Sequence, residues 1–158
     1  SSTKHQLGAL RLWTEHTRRL RLGLAADDSA EVRALTLALL TCAALALSDE
    51  RTLLANHATY AIVSAAETAE SPVEVELLAQ GLLRIANDTR VIVRMGGAYA
   101  AGRLPVLARS ERIRATATAI REKIENDPNA LIALQFQLGG LQAQRERRRH
   151  ESVEKPPP

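Results

Sequence analysis

Aromatic side chains are nearly absent from this chain. Phe, Tyr and Trp together make up 3% of its 158 residues, although 46% of the residues are hydrophobic. Its core must therefore be built from Leu, Ala, Val and Ile, a composition that favours closely packed helices over a β-sandwich. The shortage also weighs against binding of single-stranded nucleic acid by stacking of bases on aromatic rings.

Cysteine and long hydrophobic runs are scarce as well. The single cysteine, Cys42, excludes an internal disulfide and is consistent with a reducing compartment. No segment approaches the roughly 18 apolar residues of a transmembrane helix, and the first residues lack the apolar segment and cleavage site of a secretory signal. We therefore expect an intracellular protein of the cytoplasm, with the nucleus left open, and no membrane partner.

The chain also lacks the usual motifs of metal sites and catalysis. Its four histidines are not paired at the spacing of zinc ligands, and no CxxC motif is present. Gly96-Gly97 and Gly139-Gly140 lie inside helical patterns, which favours helix packing over a phosphate-binding loop. A cluster of carboxylates is formed by Glu67, Glu70, Glu74 and Glu76. It lies among predicted helix ends and solvent, which does not favour acid–base catalysis. We expect no catalytic residue, no metal, no cofactor and no enzyme activity.

Arginine supplies most of the positive charge, yet the net charge is only +3. Much of this arginine is interleaved with glutamate, which is typical of solvated helix faces and only weakly indicates a nucleic-acid footprint. Near the end of the chain stands a block formed by Arg145, Arg147, Arg148 and Arg149. Because prolines soon follow this block and it buries no apolar face, we predict a basic, then proline-rich flexible tail over residues 145–158.

Seven amphipathic segments account for most of the remaining chain, with apolar residues recurring at helical spacing. The predicted helices cover residues 4–24, 30–47, 50–70, 71–86, 88–104, 110–126 and 129–148. Ser71-Pro72 is a clear start signal, Asp88 is predicted to be the N-cap of the fifth helix, and Leu104-Pro105 is expected to end it. The predicted core face of the last helix is formed by Leu131, Leu134, Leu138 and Leu141.

The stretch from Asp88 to Leu104, DTRVIVRMGGAYAAGRL, carries the most specific pattern. Its glycines cost about 1 kcal/mol each in a helix interior and are better explained if another backbone packs close to this helix. Val93-Arg94 and Gly102-Arg103-Leu104 resemble the second helix of a HEAT repeat, and Val32-Arg33 repeats the first part of that pattern.

This resemblance implies an all-α fold. About seven helices would form antiparallel hairpins, stacked into a short, right-handed HEAT/armadillo-like α-solenoid that constitutes a single helical-repeat domain over residues 1–144. The pairing of helices across residues 71–104 is left open, because Val75 and Val93 are only 18 residues apart in a pattern that repeats every 40 or so.

A solenoid of this kind is expected to be a non-catalytic scaffold or adaptor for protein–protein interaction. The predicted partner-binding residues are Arg33, Arg84, Arg90, Arg94, Arg103, Arg145, Arg147, Arg148 and Arg149. The expected partner is another protein, through an acidic peptide or a helix, and self-association through exposed end helices is left open. The alternative role of Arg33 and Arg94 is structural pairing with Asp28 and Asp88. The alternative function is nucleic-acid binding through the arginine-rich face and the basic tail.

Overall fold

The structure, a computed structural model, describes residues 30–48 and 50–154, together with Lys4, His5, Gly8, Arg11, Leu12 and Glu15. Side chains are described from residue 40 onward and at Ala38 within the first helix. Within these residues the chain forms six α-helices and no strand, which confirms the predicted all-α class. The helices are α1 (Ala30–Leu47), α2 (Thr52–Thr68), α3 (Pro72–Ala86), α4 (Val91–Leu107), α5 (Glu111–Ile124) and α6 (Ala130–Glu154). The first of the seven predicted helices, residues 4–24, lies outside the described residues except at the six isolated positions.

Two helices begin where local residues of the sequence predict a helix start. Ser71 takes the N-cap position of α3 and Pro72 its first helical position, as predicted, although the Ser71 side chain makes no capping hydrogen bond. Ser110 takes the N-cap position of α5, and its Oγ accepts a hydrogen bond from the Ile113 N–H at 3.4 Å. Of these two serines, Ser110 thus satisfies one of the free N–H groups in the first turn of its helix, the usual role of an N-cap side chain.

The prediction that Asp88 is the N-cap of α4 was wrong. That helix begins at Val91, and its N-cap residue is Arg90. The Asp88 Oδ1 accepts a hydrogen bond from the backbone N–H of Arg90 at 2.9 Å, an Asx-type turn that lies before the helix. Asp stabilises turns and helix caps through the same local hydrogen bond, so its spacing in the sequence does not separate the two roles.

The prediction that Pro105 ends α4 was wrong by about one turn. The helix continues to Leu107 with Pro105 inside it. Proline lacks an N–H and so removes one hydrogen bond of the helix, but the ladder resumes where the Ala108 N–H donates to the Leu104 carbonyl at 2.9 Å. A proline in the last turn therefore leaves the end of this helix intact.

The helices pack against neighbours one and two places away in the chain. Thus α4 contacts α3 and α5, and it also contacts α2 and α6. In the described part of the chain, α6 packs on α4 and has no comparable contact with α5. The largest fully buried side chains include Leu54, Leu78, Leu82, Ile85, Leu104, Ile113 and Ile120. None of the helices within the described ranges is long and apolar enough to cross a membrane.

Glycine allows the backbones of α4 and α6 to touch. A Cβ atom added at Gly102 would overlap the carbonyl oxygen of Phe136, and one added at Gly139 would overlap the carbonyl oxygen of Tyr99. No other residue type fits at these two positions without moving a helix. The prediction that a second backbone packs against the glycines of the 88–104 stretch is therefore confirmed at Gly97 and Gly102, whereas Gly96 faces the side chain of Thr59.

The predicted core face of α6 was wrong. Leu131, Leu134, Leu138 and Leu141 are 49%, 55%, 40% and 56% exposed, respectively. The buried residues of this helix are Ile132, Gly139 and Ala143, and Phe136 is partly buried. The close approach of the α4 backbone leaves room only for small side chains along much of the contact, so the large leucines lie away from it. The helix also continues through the predicted boundary at residue 145 to Glu154, so the arginine block is helical.

Candidate functional site

Arg84 and Arg90, two of the predicted partner-binding residues, line the same open cleft. Its volume is about 520 Å³, and it lies between the end of α1 and the connection from α3 to α4. The cleft is lined by Ser48, Glu50, Arg84, Asn87, Asp88, Thr89 and Arg90. We refer to it as the Arg84 cleft.

Both arginines reach the C-terminal end of α1. The Arg84 Nη2 donates a hydrogen bond to the Ser48 Oγ at 2.8 Å, and the Arg90 Nη2 donates to the Leu47 carbonyl at 3.1 Å. The last carbonyls of a helix have no partners within it and carry partial negative charge, so cationic side chains are favoured there. This attraction holds the two guanidinium groups at the same helix end.

The charge of Arg90 is balanced within the cleft. Its Nε and Nη2 donate to the two carboxylate oxygens of Asp88 at 2.8 and 2.7 Å. The pKa of Asp88 lies below its ordinary value, mainly because of this side-chain hydrogen bond, which outweighs the opposing effect of burial. Asp88 is therefore an ionised partner of Arg90.

The charge of Arg84 is not balanced in the same way. Its guanidinium donates to the Ser48 hydroxyl and, at 3.5 Å, to the Ala44 carbonyl, which are both neutral acceptors. Among the described residues, no carboxylate lies within ion-pair distance of Arg84. Arg84 thus lies in an open cleft and, among the described residues, forms no ion pair, although its charge contributes to the lowered pKa of Asp88.

Arg94 has a structural role at the neighbouring turn. It forms an ion pair with Asp127 at 3.1 Å and donates to the backbone carbonyls of Asp88 and Thr89 at 3.1 and 2.9 Å. The predicted alternative, pairing of Arg94 with the Asp88 side chain, is not formed: the Asp88 carboxylate is bound to Arg90, and Arg94 pairs with Asp127 and reaches Asp88 only through its backbone oxygen. The side chain of Arg33, the other member of that alternative, lies outside the described residues.

Sequence reasoning missed Arg114, which repeats the contacts of Arg94 one helix later. Its Nη1 donates to the carbonyls five and six residues before it, at 2.9 and 2.8 Å. Arg94 makes the same pair of contacts, and each arginine is the fourth residue of its helix. The signal in the sequence was Ile113-Arg114, which has the same apolar-Arg pattern as Val93-Arg94.

Arg103 lies in the interior, where it joins three helices. Its side chain is 5% exposed. The Nε donates to Glu67 of α2, and the Nη2 donates to both carboxylate oxygens of Glu146 of α6 at 2.8 Å. Burial by itself would lower the pKa of Arg103, but the hydrogen bonds and charges of Glu67 and Glu146 outweigh it and raise the pKa above its ordinary value. In this position Arg103 cross-links helices and presents no surface to a ligand.

The remaining predicted residues, Arg145, Arg147, Arg148 and Arg149, are exposed on α6. Arg147 donates to Glu151 one turn later at 3.0 Å, a surface pair of little energetic weight. Eight of the nine predicted arginines are therefore divided among a cleft, a turn, the interior and an exposed helix, and the ninth, Arg33, has a side chain outside the described residues.

In the part of the chain that the structure describes, no three His, Cys, Asp or Glu side chains are grouped so that they could hold a metal ion.

Comparison with protein families, with curated proteins and with solved structures found no match to this chain. The Arg84 cleft is therefore interpreted from its own chemistry.

Proposed function

We propose that this protein is a non-catalytic interaction module, a scaffold or adaptor, that binds an acidic segment of a partner protein at the Arg84 cleft. The observation that carries the proposal is the guanidinium of Arg84, which lies in an open cleft and whose hydrogen bonds, within the described part of the chain, go to neutral oxygens. A planar guanidinium matches a carboxylate in shape and charge, and the resulting hydrogen bonds are about twice as strong as those between neutral groups.

The proposal includes the arrangement of the helices as a HEAT/armadillo-like α-solenoid with a right-handed superhelix. Contacts confined largely to helices one and two places apart are expected of hairpins stacked in a row. In that arrangement α2, α4 and α6 form one layer, while α1, α3 and α5 form the other. The equivalent contacts of Arg94 and Arg114 support a repeated turn. Such stacks present extended surfaces for partner proteins. We also propose that this protein acts in the cytoplasm.

The energetic argument depends on what a carboxylate would replace. In the free protein Arg84 donates to the Ser48 hydroxyl. That hydrogen bond already has one charged partner, the guanidinium. A carboxylate of the partner protein would make both partners charged and add the attraction between opposite charges, and reversal of the Arg84 charge would turn this attraction into repulsion.

The test is affinity capture of partner proteins from a native extract with three forms of the full chain. These are the wild type, Arg84→Glu and the control Arg121→Glu. Arg121 is a good match because it is an exposed arginine on another helix, where it pairs with Glu125 at 3.3 Å. We expect the wild type and the control to retain the same partner and Arg84→Glu to lose it, with equal helix content by circular dichroism. Equal capture by all three forms would contradict the proposal.

Nucleic-acid binding is a second candidate function, favoured by one observation. The four arginines between residues 145 and 149 are exposed along a single helix. Binding driven by phosphate contacts weakens steeply as the salt concentration rises. Fluorescence anisotropy with labelled duplex and single-stranded oligonucleotides at low salt tests it, with the four arginines replaced by glutamine as the comparison. The absence of binding at low salt would exclude this function.

A further inference from the structure

Four exposed leucines form a row along the first half of α6. They are Leu131, Leu134, Leu138 and Leu141, which we call the α6 leucine row. Spacings of three, four and three residues keep a row on one side of a helix, and they are the spacings at which paired helices of coiled coils meet. Gly139 and Ala143 on the same helix are buried, and Gly139 contacts α4. The leucine row is therefore not part of the contact with α4.

The spacing of the leucine row is the same in both directions along the helix. If a second α6 lies antiparallel with its middle at the level of Phe136, Leu131 faces Leu141 of the partner subunit and Leu134 faces Leu138 of the partner subunit. Every leucine of one row then meets a leucine of the other. An interface between two copies related by a twofold axis requires a surface that complements itself in this way.

The distribution of charge along α6 also fits a second copy. No charged residue occurs from Asn129 to Gln144. The exposed neighbours of the leucine row within this uncharged stretch are Ala130, Ala133, Gln137 and Gln144. Two copies of this stretch therefore bring no like charges of α6 together, which would destabilise the contact. From α5, the Arg121 guanidinium lies 5.6 Å from the centre of the Phe136 ring.

The arginine block decides the direction of pairing. Parallel helices would place the two blocks, each with four arginines between residues 145 and 149, side by side. Antiparallel helices place the blocks at opposite ends, about 30 Å apart at a rise of 1.5 Å per residue. That separation exceeds the Debye length of about 8 Å at physiological salt, so the repulsion is screened.

We propose that the α6 leucine row is a self-association surface on which a second copy of this chain docks with its α6 antiparallel. This surface is separate from the Arg84 cleft and does not depend on it. The row is short, with eleven residues from its first leucine to its last, so we expect a weak dimer, to be sought at micromolar concentrations of the chain. Docking of a second copy also covers the four exposed leucines of this helix.

Sedimentation velocity on the full chain across the micromolar range tests the association. The monomer has a mass of 17.2 kDa, and we expect a concentration-dependent shift to twice that mass. The double variant Leu134→Glu/Leu138→Glu should raise the dissociation constant at least about 100-fold, because it would bury carboxylates without partners. The control is Leu77→Glu on α3, where the leucine is 41% exposed and the dimer should be unchanged. Circular dichroism verifies that all forms are folded.

Two results of this experiment would overturn the proposal. One is a wild type that remains monomeric throughout the micromolar range. This result is expected if another segment of the chain or another protein covers the leucine row. The other is a dimer that persists in Leu134→Glu/Leu138→Glu.

Disulfide cross-linking tests the direction independently, in a Cys42→Ser background. A mixture of Leu131→Cys and Leu141→Cys chains should form mixed disulfide dimers on mild oxidation, because these positions face each other in the antiparallel arrangement. Leu131→Cys alone should not cross-link. Efficient cross-linking of Leu131→Cys with itself, and no mixed disulfide between Leu131→Cys and Leu141→Cys chains, would show parallel helices and contradict the proposal.

Discussion

Arg84 and Arg103 belong to consecutive helices, α3 and α4, and both donate hydrogen bonds to other parts of the chain, yet their surroundings are opposite. Arg103 is buried, and its charge is matched by Glu67 and Glu146. Arg84 lies in an open cleft and is bound to a hydroxyl and a carbonyl. The comparison teaches that the number of arginines says little about binding. What matters is whether the fold has already given each guanidinium a carboxylate.

The comparison also separates stability from function. A buried ion pair is costly to break because the remaining charge is left in a medium that solvates it poorly. A cation at an open cleft stays hydrated, and its removal costs little. The following three predictions use substitutions in the interior and in the cleft, and the expected effects decrease from the first to the last.

The largest effect is expected for Arg103→Met. The substitution would leave the carboxylate of Glu67, which is 3% exposed, without its guanidinium partner. We expect a loss of about 3–5 kcal/mol in the free energy of unfolding, measured by urea denaturation. The matched substitution Arg84→Met should change it by less than about 0.5 kcal/mol. Similar losses for the two variants would contradict the contrast between interior and cleft.

A smaller effect is expected at the contact of α4 with α6. In Gly139→Ala the new Cβ would overlap the Tyr99 carbonyl oxygen, and the two helices would have to separate. We expect a loss of about 1–3 kcal/mol in the free energy of unfolding.

The adjacent Gly140→Ala is the control for this contact. There the new Cβ would lie 3.6 Å from the Gly102 carbonyl oxygen, an ordinary contact. Because alanine favours the helix over glycine, this variant should be neutral or stabilised by up to about 1 kcal/mol. Thermal unfolding of the two variants side by side measures the difference, and a Gly139→Ala variant as stable as Gly140→Ala would contradict the backbone contact at Gly139.

The smallest effect concerns Asp88 in the cleft. Its pKa lies below the ordinary value of 3.8, chiefly because of the side-chain hydrogen bond from Arg90. A carboxyl group with a lowered pKa in the folded state stabilises the fold above pH 3.8, and this contribution is lost as the pH falls through the folded-state pKa. The stability advantage of the wild type over Asp88→Asn should therefore be present at neutral pH and shrink in acid. Denaturation curves at several pH values measure it, and a constant difference would contradict the ion pair.

Features encoded by neighbouring residues could be predicted from the sequence. Ser71-Pro72 marks the start of α3 because its capping and backbone constraints act within one turn. The glycines of α4 pointed to a close backbone because their cost in a helix needs a compensating contact. The all-α class followed in the same way from helical periodicity along most of the chain.

Features decided by distant residues could not be predicted. Arg103 is buried because Glu67 and Glu146, 36 and 43 residues away, converge on it. The exposed face of α6 was misassigned because leucines at helical spacing look the same whether they face a core or solvent. The buried residues of α6 and the contacts of Gly139 and Phe136 with α4 show which side of that helix is inside. Arg84 was among the predicted partner-binding residues, but the sequence did not distinguish it from the other arginines.

An NMR titration of the arginine Nε–H resonances with an acidic peptide shows directly whether the Arg84 guanidinium binds carboxylates and that of Arg103 does not. The probe is a synthetic peptide of alternating Glu and Ala, and the control peptide has Gln in place of Glu. We expect a saturable shift of the Arg84 resonance with the acidic peptide but not with the control peptide, and no shift of the Arg103 resonance with either. An Arg84 resonance that does not move, or that moves no more than that of the exposed Arg121, would contradict the proposal.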